Sequence, residues 1–566
     1  MHKNWILKSI PPQDKIDSLS KAINISYVIS TLLIQRGKES HDDAKSFFRP
    51  TLDGLHDPFL MKDMDKAVER LLKAIKNYEK IIIYGDYDVD GTTSVALAYS
   101  FLKRLHTNIA FYIPDRHKEG YGVSLEGIDW AKNEGAHLII SLDCGIKSEL
   151  LIDYAKKIGI DFIICDHHLP GENVPMAFAV LDAKQKDCNY PFKELSGCGV
   201  GFKLMQALCI KQNIDLNILY EYLDLVAVSI AADMVPIVDE NRIFTFYGLK
   251  KLNSNPSLGF KALKTIASLS NEMDVKSIVF GIAPRINAAG RVEHANDAVN
   301  LLIAENDIDA NNYADVVNQR NRERQNFDKT ITLEALEMIE ADENLKSAKT
   351  TVLYNESWHK GVIGIVASRV IEKYHRPTII LTNSNNKATG SARSIPGFDL
   401  YEAISSCSEF LDQFGGHKFA AGLTMPVENI NPFKEKFESV VSNILTDEMM
   451  LPRIEIDIKI NFNQINPKMF NLIKQMSPYG PLNMDPVFVT EEVYLSNPAR
   501  ILKETHLKLS VCQKNSQTFE AIGFGMAHYY QILAVNKPFK ICYHICENNY
   551  NGNISLQLII KDIKVV

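Results

Sequence analysis

Short apolar runs alternate with helix-forming stretches through the first half of the chain. "KIIIYG" (80–85), "NIAFYIP" (108–114), "AHLIISLD" (136–143), "DFIICDHH" (161–168) and "AFAVLDA" (177–183) are almost continuously apolar before a polar end. Such runs predict strands buried on both faces, in a parallel sheet covered by helices. Residues 66–77 carry apolar positions at helical spacing ahead of the first strand. The stretch 200–280 reads as mostly helical, and 306–347 is polar, helix-forming and free of Pro and Gly, a connector between domains. A second strand–helix–strand pattern follows in "KTTVLYN", "GVIGIVASRVIEKY" and "RPTIILTN". Beyond about residue 450 the period changes to two, in "RIEIDIKINF", "HLKLSVCQ", "FKICYHICE" and "ISLQLIIKDIKVV". That alternation predicts half-buried antiparallel strands and a small β-barrel.

The expected organisation is a helical lead-in (1–45), a parallel-sheet α/β domain (46–300), a connecting helix (301–348), a second α/β domain (349–447) and the barrel (448–566). A chain of 566 residues exceeds one hydrophobic core. No run of 18 apolar residues is present, so no membrane helix is expected, and the first residues lack the apolar region of a signal peptide. Nine cysteines without metal-finger spacing fit a reducing cytoplasm. The net charge of −7 gives no global attraction for nucleic acid. Binding of a polyanion would rest on local basic patches or on metal ions that neutralise carboxylates.

The candidate chemistry lies at the polar ends of the apolar runs. Asp86, Asp88 and Asp90 follow the first, Asp143 ends "LIISLD", and Asp166, His167 and His168 end "FIICDHH". Asp233 in "VAVSIAADMVP" is expected at a fourth strand end. A single Asp in such a place serves as an N-cap for the next helix. Four successive ones strain that account. Converging carboxylates repel in a poorly solvated site unless a cation joins them. Oxygen and imidazole ligands without thiolate favour Mn²⁺ or Mg²⁺. Two such ions about 3.5–4 Å apart can activate water and stabilise both ends of an in-line phosphoryl displacement.

"GDYDVDGTTS", "SLDCG", "CDHH" and "AADMVP" resemble, in order, the four motifs of the DHH phosphoesterase superfamily. The resemblance implies two Mn²⁺ or Mg²⁺ ions and hydrolysis of phosphodiesters or phosphoanhydrides. It maps Asp88, Asp90, Asp143, His167 and Asp233 onto metal ligands, with Asp143 bridging. Many members carry His where this chain has Tyr84, and Asp86 is the candidate for the vacant ligand position. His168 would face substrate or support a ligand, and Asp166 would orient His167.

Further segments resemble the single-stranded-DNA exonuclease branch of that superfamily, the RecJ family. "IPDRHKEGYGVS" (113–124) implies Arg116 near the DNA 5′ end, and "APRINAAGRVEHANDAV" (283–299) implies that Arg285, Asn287 and Arg291 grip the strand. "GSARSIPGFDL" and "FGGHKFAAGLTM" resemble the DHH-associated domain. They imply that Ser391 and Arg393 hold the terminal 5′ phosphate, and that Gly415, Gly416 and His417 face the scissile phosphate. "FGGHKFAAG" also reads as a tight turn entering a helix, and "NQRNRERQ" (318–325) as a solvated helix face. The last region resembles an OB fold, which grips single strands through stacked bases and a basic groove.

The expectation is a 5′-to-3′ exonuclease specific for single-stranded DNA with a 5′ phosphate. It would release 5′ mononucleotides in DNA repair and recombination, as a monomer, with a helicase and a single-strand-binding protein as partners. The alternatives are a small-substrate phosphodiesterase, acting on nano-RNA or cyclic dinucleotides, and a non-catalytic single-strand-binding replication partner.

Overall fold

A computed structural model describes residues 3–116, 118–269, 272–292, 294–533, 537–550 and 552–565. Two compact units emerge. One is built mainly from Pro284–Arg453 with Asp115–Lys118, and the other from Trp5–Pro114, Glu119–Ala283 and Ile454–Val566.

The larger unit contains a five-stranded parallel sheet: β1 (Lys80–Gly85), β2 (Ile109–Tyr112), β3 (Ala136–Leu142), β4 (Asp161–Cys165) and β5 (Ala179–Leu181). The spatial order is β2-β1-β3-β4-β5, with every neighbouring pair parallel. Ile81, Ile82 and Ile83 are fully buried, as are Leu138, Ile139 and Ile140 in register beside them. Each such side chain contributes roughly 1.5–3 kcal/mol by leaving water. The order reverses between β1 and β3, and ligands of open α/β sheets bind beyond the carboxyl ends of strands at that reversal.

The helix Val89–Lys103 follows β1 and is buried through most of its length. It tolerates three consecutive hydroxyl residues because Thr92, Thr93 and Ser94 donate to the carbonyls of Asp88, Val89 and Asp90 one turn back. The helices Gly197–Gln212, Leu223–Asp233 and Asp239–Ser254 fill the predicted helical stretch. Asp233 therefore closes a helix, not a strand. Its run "LVAVSIAAD" lacks helix breakers, and Met234 ends it in the left-handed region at φ 57°.

The C-terminal strands of this unit form a six-stranded sheet that closes on itself. Phe488–Leu502 pairs with His506–Cys512 on one side and with Phe539–Tyr550 on the other. Its core is continuous with the N-terminal helices: Ile16, Leu19, Val28 and Leu32 pack in one cluster with Phe488, Leu509, Tyr543 and Leu558.

In the smaller unit the helix Asp307–Ala341 runs 35 residues, capped by the Asn306 side chain. It lays Ile331, Ala335 and Ile339 against Val366 and Val370 of the helix Ile363–Tyr374. Arg369 holds Asp328 across this contact with two bonds of 2.8 Å. A mixed five-stranded sheet completes the unit, in the order 413–417, 420–425, 387–393, 378–384, 351–354. "FGGHKFAAG" is thus a β-hairpin and not a turn into a helix, with His417 opposite Ala420. Gly415, Gly416 and Gly422, which hid its strand period, lie at exposed sheet positions, while Ala421 packs into the core.

Lys203 and Glu240 are both fully buried and 2.9 Å apart, joining the helices Gly197–Gln212 and Asp239–Ser254. Tyr190 Oη and the His56 N–H also donate to the Glu240 carboxylate. Removing one member strands the other charge. Lys203→Met is expected to lower unfolding free energy by about 3–5 kcal/mol in a denaturant titration. A loss below about 1 kcal/mol would show that the pair does not need its partner.

Candidate active site

Each candidate metal ligand is placed by a local feature of the backbone. Asp86 follows β1, and Asp88 caps the helix Val89–Lys103 by accepting from the Gly91 N–H at 3.1 Å. The capping role anticipated for a lone Asp is therefore real for Asp88, and it uses one carboxylate oxygen. Gly91 lets this turn close, since a Cβ there would lie 2.3 Å from the Asp86 carbonyl oxygen. Asp90 points to the start of the helix Gly197–Gln212. It accepts from the N–H groups of Gly197 and Cys198 at 2.7 and 2.8 Å and from Ser229 Oγ at 2.7 Å. Asp143 follows β3 in the left-handed region, φ 61°, a conformation that costs energy for a residue with a Cβ.

The side chains converge. Ligand atoms of Asp86, Asp88 and Asp143 lie within 4.8 Å of one another, and so do those of Asp90, His167 and Asp233 and those of Asp143, His167 and His168. His167 Nε2 is 3.1 Å from Asp143 Oδ1, 3.6 Å from Asp90 Oδ2 and 3.7 Å from Asp233 Oδ2. Asp143 Oδ1 and both His167 ring nitrogens are buried and make no aligned hydrogen bond. Lone pairs of imidazole and carboxylate that face one point without a proton between them fit a shared cation. All the donors are oxygen or imidazole nitrogen, which suits Mn²⁺ or Mg²⁺.

The electrostatics agree. Burial, then the charges of Asp90, Asp88, Asp233 and Asp86, holds the Asp143 carboxyl well above the usual range. Burial and Asp90 raise Asp88. Loss of water, then Asp90 and Asp88, pushes Asp233 up to about 8. His167 is pushed down by burial, which keeps its imidazole neutral and available as a ligand.

Asp166 does not orient the His167 ring. It accepts from the His168 ring Nδ1 at 2.8 Å and from the N–H groups of His167, His168 and Ile146. Burial opposes its ionisation, but the His168 hydrogen bond and charge outweigh this and hold it near 2. In turn Asp166 raises His168 against the effect of burial. Tyr84 is buried, and its hydroxyl donates to the Gly122 carbonyl at 3.1 Å, so it offers the site no ligand. Asp86 occupies the cluster instead.

Three neighbours escaped the sequence reading. Tyr121 Oη lies 3.1 Å from His168 Nε2, on a loop whose flanking Gly120 and Gly122 both have positive φ. Ser229 anchors Asp90 from one helical turn before Asp233. Asp182 follows β5 with a buried, unbonded Oδ2, and burial pushes it up to about 7. The "AFAVLDA" run carried the same strand-end signal as its fellows.

The smaller unit gathers the other candidates. Arg393 Nη1 donates to Ser391 Oγ at 3.0 Å. Gly364 lies at the start of the helix Ile363–Tyr374, and a Cβ there would lie 2.9 Å from both Arg393 Nη2 and Ser391 Oγ. These two side chains thus sit on a helix N-terminus, where the dipole favours an anion. Arg393 is pushed down by burial and then by the charge of Arg116, so two cations are crowded at one place. Sheet register puts Arg393, Ala420 and His417 in one row, and Ser391, Gly422 and Gly415 in the next but one. Gly416 lies between those rows, at φ 149°, and Gly415, Gly416 and His417 are exposed.

Arg285, Asn287 and Arg291 share the helix Ala283–Val292. Arg285 Nε donates to Asn318 Oδ1 at 3.1 Å, and Arg291 Nη1 to the Gly361 carbonyl at 3.1 Å. Burial and then Arg322 and Arg324 push Arg285 down. The "NQRNRERQ" run is therefore more than a solvated face, since Asn318 and Asn321 are buried.

Comparison with known proteins bears on these sites. Residues 80–230 match the DHH family, N-terminal domain; 347–443 match the DHHA1 domain; and 456–562 match the RecJ OB domain. The chain is 37% identical over 559 residues to the single-stranded-DNA-specific exonuclease RecJ of Bacillus subtilis, covering 98% of this chain and 70% of that one. Its fold is similar to the crystal structure of Thermus thermophilus RecJ in complex with Mn²⁺, with TM-score 0.86, 26% identity and coverage of 100% of this chain and 80% of that one. The Mg²⁺ complex of the same protein gives 0.79 and 25%, with coverage of 100% and 78%.

Proton release should accompany metal uptake. Asp233 in the folded apoprotein gives up its proton only near pH 8, against 3.8 ordinarily. Its contribution to apoprotein stability is therefore full below 3.8 and is lost as pH rises to about 8. Cation binding needs the ionised form, so Mn²⁺ affinity should rise with pH and level off above about 8. Titration calorimetry in buffers of different ionisation enthalpy measures the protons released. Affinity independent of pH between about 6 and 8 would remove Asp233 from the ligand set.

Proposed function

The chain belongs to the RecJ family of single-stranded-DNA-specific exonucleases, a metal-dependent group of phosphodiester hydrolases, and on that premise we propose that it works from the 5′ end and releases 5′ mononucleotides. The observation that carries this reading is the convergence of Asp90, Asp143 and Asp233 on His167, and of Asp86 and Asp88 on that same Asp143. In the proposal these six side chains would hold two Mn²⁺ or Mg²⁺ ions, Asp143 belonging both to the group with Asp86 and Asp88 and to the group with His167. When bound, the ions supply an activated water and charge neutralisation for in-line displacement.

The protein's own groups do the rest. Arg116, Ser391 and Arg393, with the helix N-terminus at Gly364, take the terminal 5′ phosphate as a doubly charged anion. Arg285, Asn287 and Arg291 hold backbone phosphates of the following nucleotides. His417 offers its imidazole to the scissile phosphate, with Gly415 and Gly416 allowing close approach of backbone. Asp166 fixes the His168 proton at Nδ1 and raises the ring's basicity, so Nε2 can carry the second proton towards the leaving 3′ oxygen. The barrel lengthens the grip on the strand. A helicase and a single-strand-binding protein are the partners that would supply such a substrate, and the enzyme needs no second copy.

Asp143→Ala is expected to abolish Mn²⁺-dependent hydrolysis while circular dichroism stays unchanged. Near-normal turnover at equal metal content would overturn the ligand assignment. Arg393→Ala is expected to slow digestion of 5′-phosphorylated single strand about 10- to 100-fold, and 5′-hydroxyl strand far less. The assay follows 3′-labelled single strands, with and without the phosphate, beside a blunt duplex. Cleavage of dinucleotides or cyclic dinucleotides with no shortening of DNA would move the activity to the small-substrate branch.

A further inference from the structure

A cavity of about 720 Å³ opens elsewhere in the larger unit, lined by the helix His41–Phe48 and the chain on either side of it, by the start of the helix Asp239–Ser254 and by Leu482 and Asn483. Its walls carry Arg36, Lys38, Lys45, Arg49 and Arg242 against two carboxylates, in a protein whose net charge is −7. One of those carboxylates, Asp239, is taken by His56 Nε2 at 2.9 Å. Lys38, Lys45 and Arg49 enter no ion pair among the described residues, although nearby Lys15 pairs with Glu39. Lys45 and Arg49 are exposed and lie one turn apart.

Arg242 forms the back of the cavity. It is 4% exposed, and its five hydrogen bonds all go to backbone carbonyls, those of Phe47, Met476, Ser477 and Pro478. Among the described residues no carboxylate pairs with it, and burial pushes it down to about 10. A buried cation held only by dipoles keeps a positive potential in the space it faces. Its guanidinium lies 3.9 Å from the Phe47 ring centre, and Phe47, Ile243 and Leu482 give the cavity apolar wall. The volume falls in the range of small-molecule sites, about 300–1,000 Å³. Its size, charge and walls suit a compact ligand with one multiply charged end and a flat apolar body.

We propose that this cavity binds a nucleoside 5′-monophosphate, with the phosphate on Lys38, Lys45 and Arg49 and the base against the apolar wall. The ligand class rests on the exonuclease reading, whose product it is. The site itself does not, since its residues belong to no part of the proposed reaction.

The test is titration calorimetry of the full chain with deoxyadenosine 5′-monophosphate in excess EDTA, where hydrolysis and metal-assisted product binding are absent. Arg393→Ala serves as the background, so that the 5′-phosphate cradle is removed. Saturable binding at one site is expected, weakened about tenfold or more by Lys45→Gln with Arg49→Gln. Deoxyadenosine without phosphate should not bind. Equal affinity in the presence and absence of the two substitutions overturns the proposal. So does no binding, or inorganic phosphate binding as tightly as the nucleotide. Binding of an acidic peptide in place of the nucleotide would make the cavity a protein-docking site and also overturn it. None of these outcomes depends on nuclease activity, so loss of one reading leaves the other standing.

Discussion

Repulsion among carboxylates around His167 is the constraint on which the catalytic half depends. Asp143 lies at its centre, raised by burial and by four other acids. The fold uses three strand ends and one helix end to bring the acids together, and leaves the compensating charge to be supplied from solution. The buried, unbonded atoms of Asp143 and His167 are the visible form of that requirement. Around them the polar partners are complete: Asp90 and Asp166 receive seven hydrogen bonds between them from backbone and side chains. Asp166 is taken up by such bonds, whereas Asp90 is held by its own and still lies 3.6 Å from His167 Nε2.

The opposite sign governs the smaller unit. There Arg393 lies on a helix N-terminus and feels the charge of Arg116, and Arg285 feels those of Arg322 and Arg324. The candidate site of each unit thus gathers charge of one sign, acidic in the larger unit and basic in the smaller. Neither arrangement is what stability alone would select, since like charges in contact weaken a fold.

The parallel sheet was legible because its strands are continuous apolar runs, and all five were expected where they occur. The acids at β1, β3 and β4 were legible for the same reason, each breaking an apolar run. Asp233 was found by motif but misplaced, because "VAVSIAAD" is equally apolar as strand or helix, and only packing decides. The hairpin at 413–425 was obscured by glycine and alanine, which carry almost no strand signal. Asp90's anchoring by Ser229 and by the Gly197 and Cys198 amides joins residues more than a hundred positions apart, and no local pattern encodes that. The Asp166–His168 link runs two residues along the chain, yet its partner depends on ring orientation, which sequence does not carry.

On the proposed reading, the cradle of Ser391, Arg393 and the helix end at Gly364 recognises a group, not a base. Cleavage that leaves the phosphate on the shortened strand regenerates that group at every step. The product end is then chemically the same as the starting end, and the enzyme meets an identical handle however far it has travelled. Sequence drops out of the recognition problem, and the strand behaves as a tape with uniform pitch. A lesion that alters a base leaves the handle intact, whereas one that removes or caps the terminal phosphate takes it away.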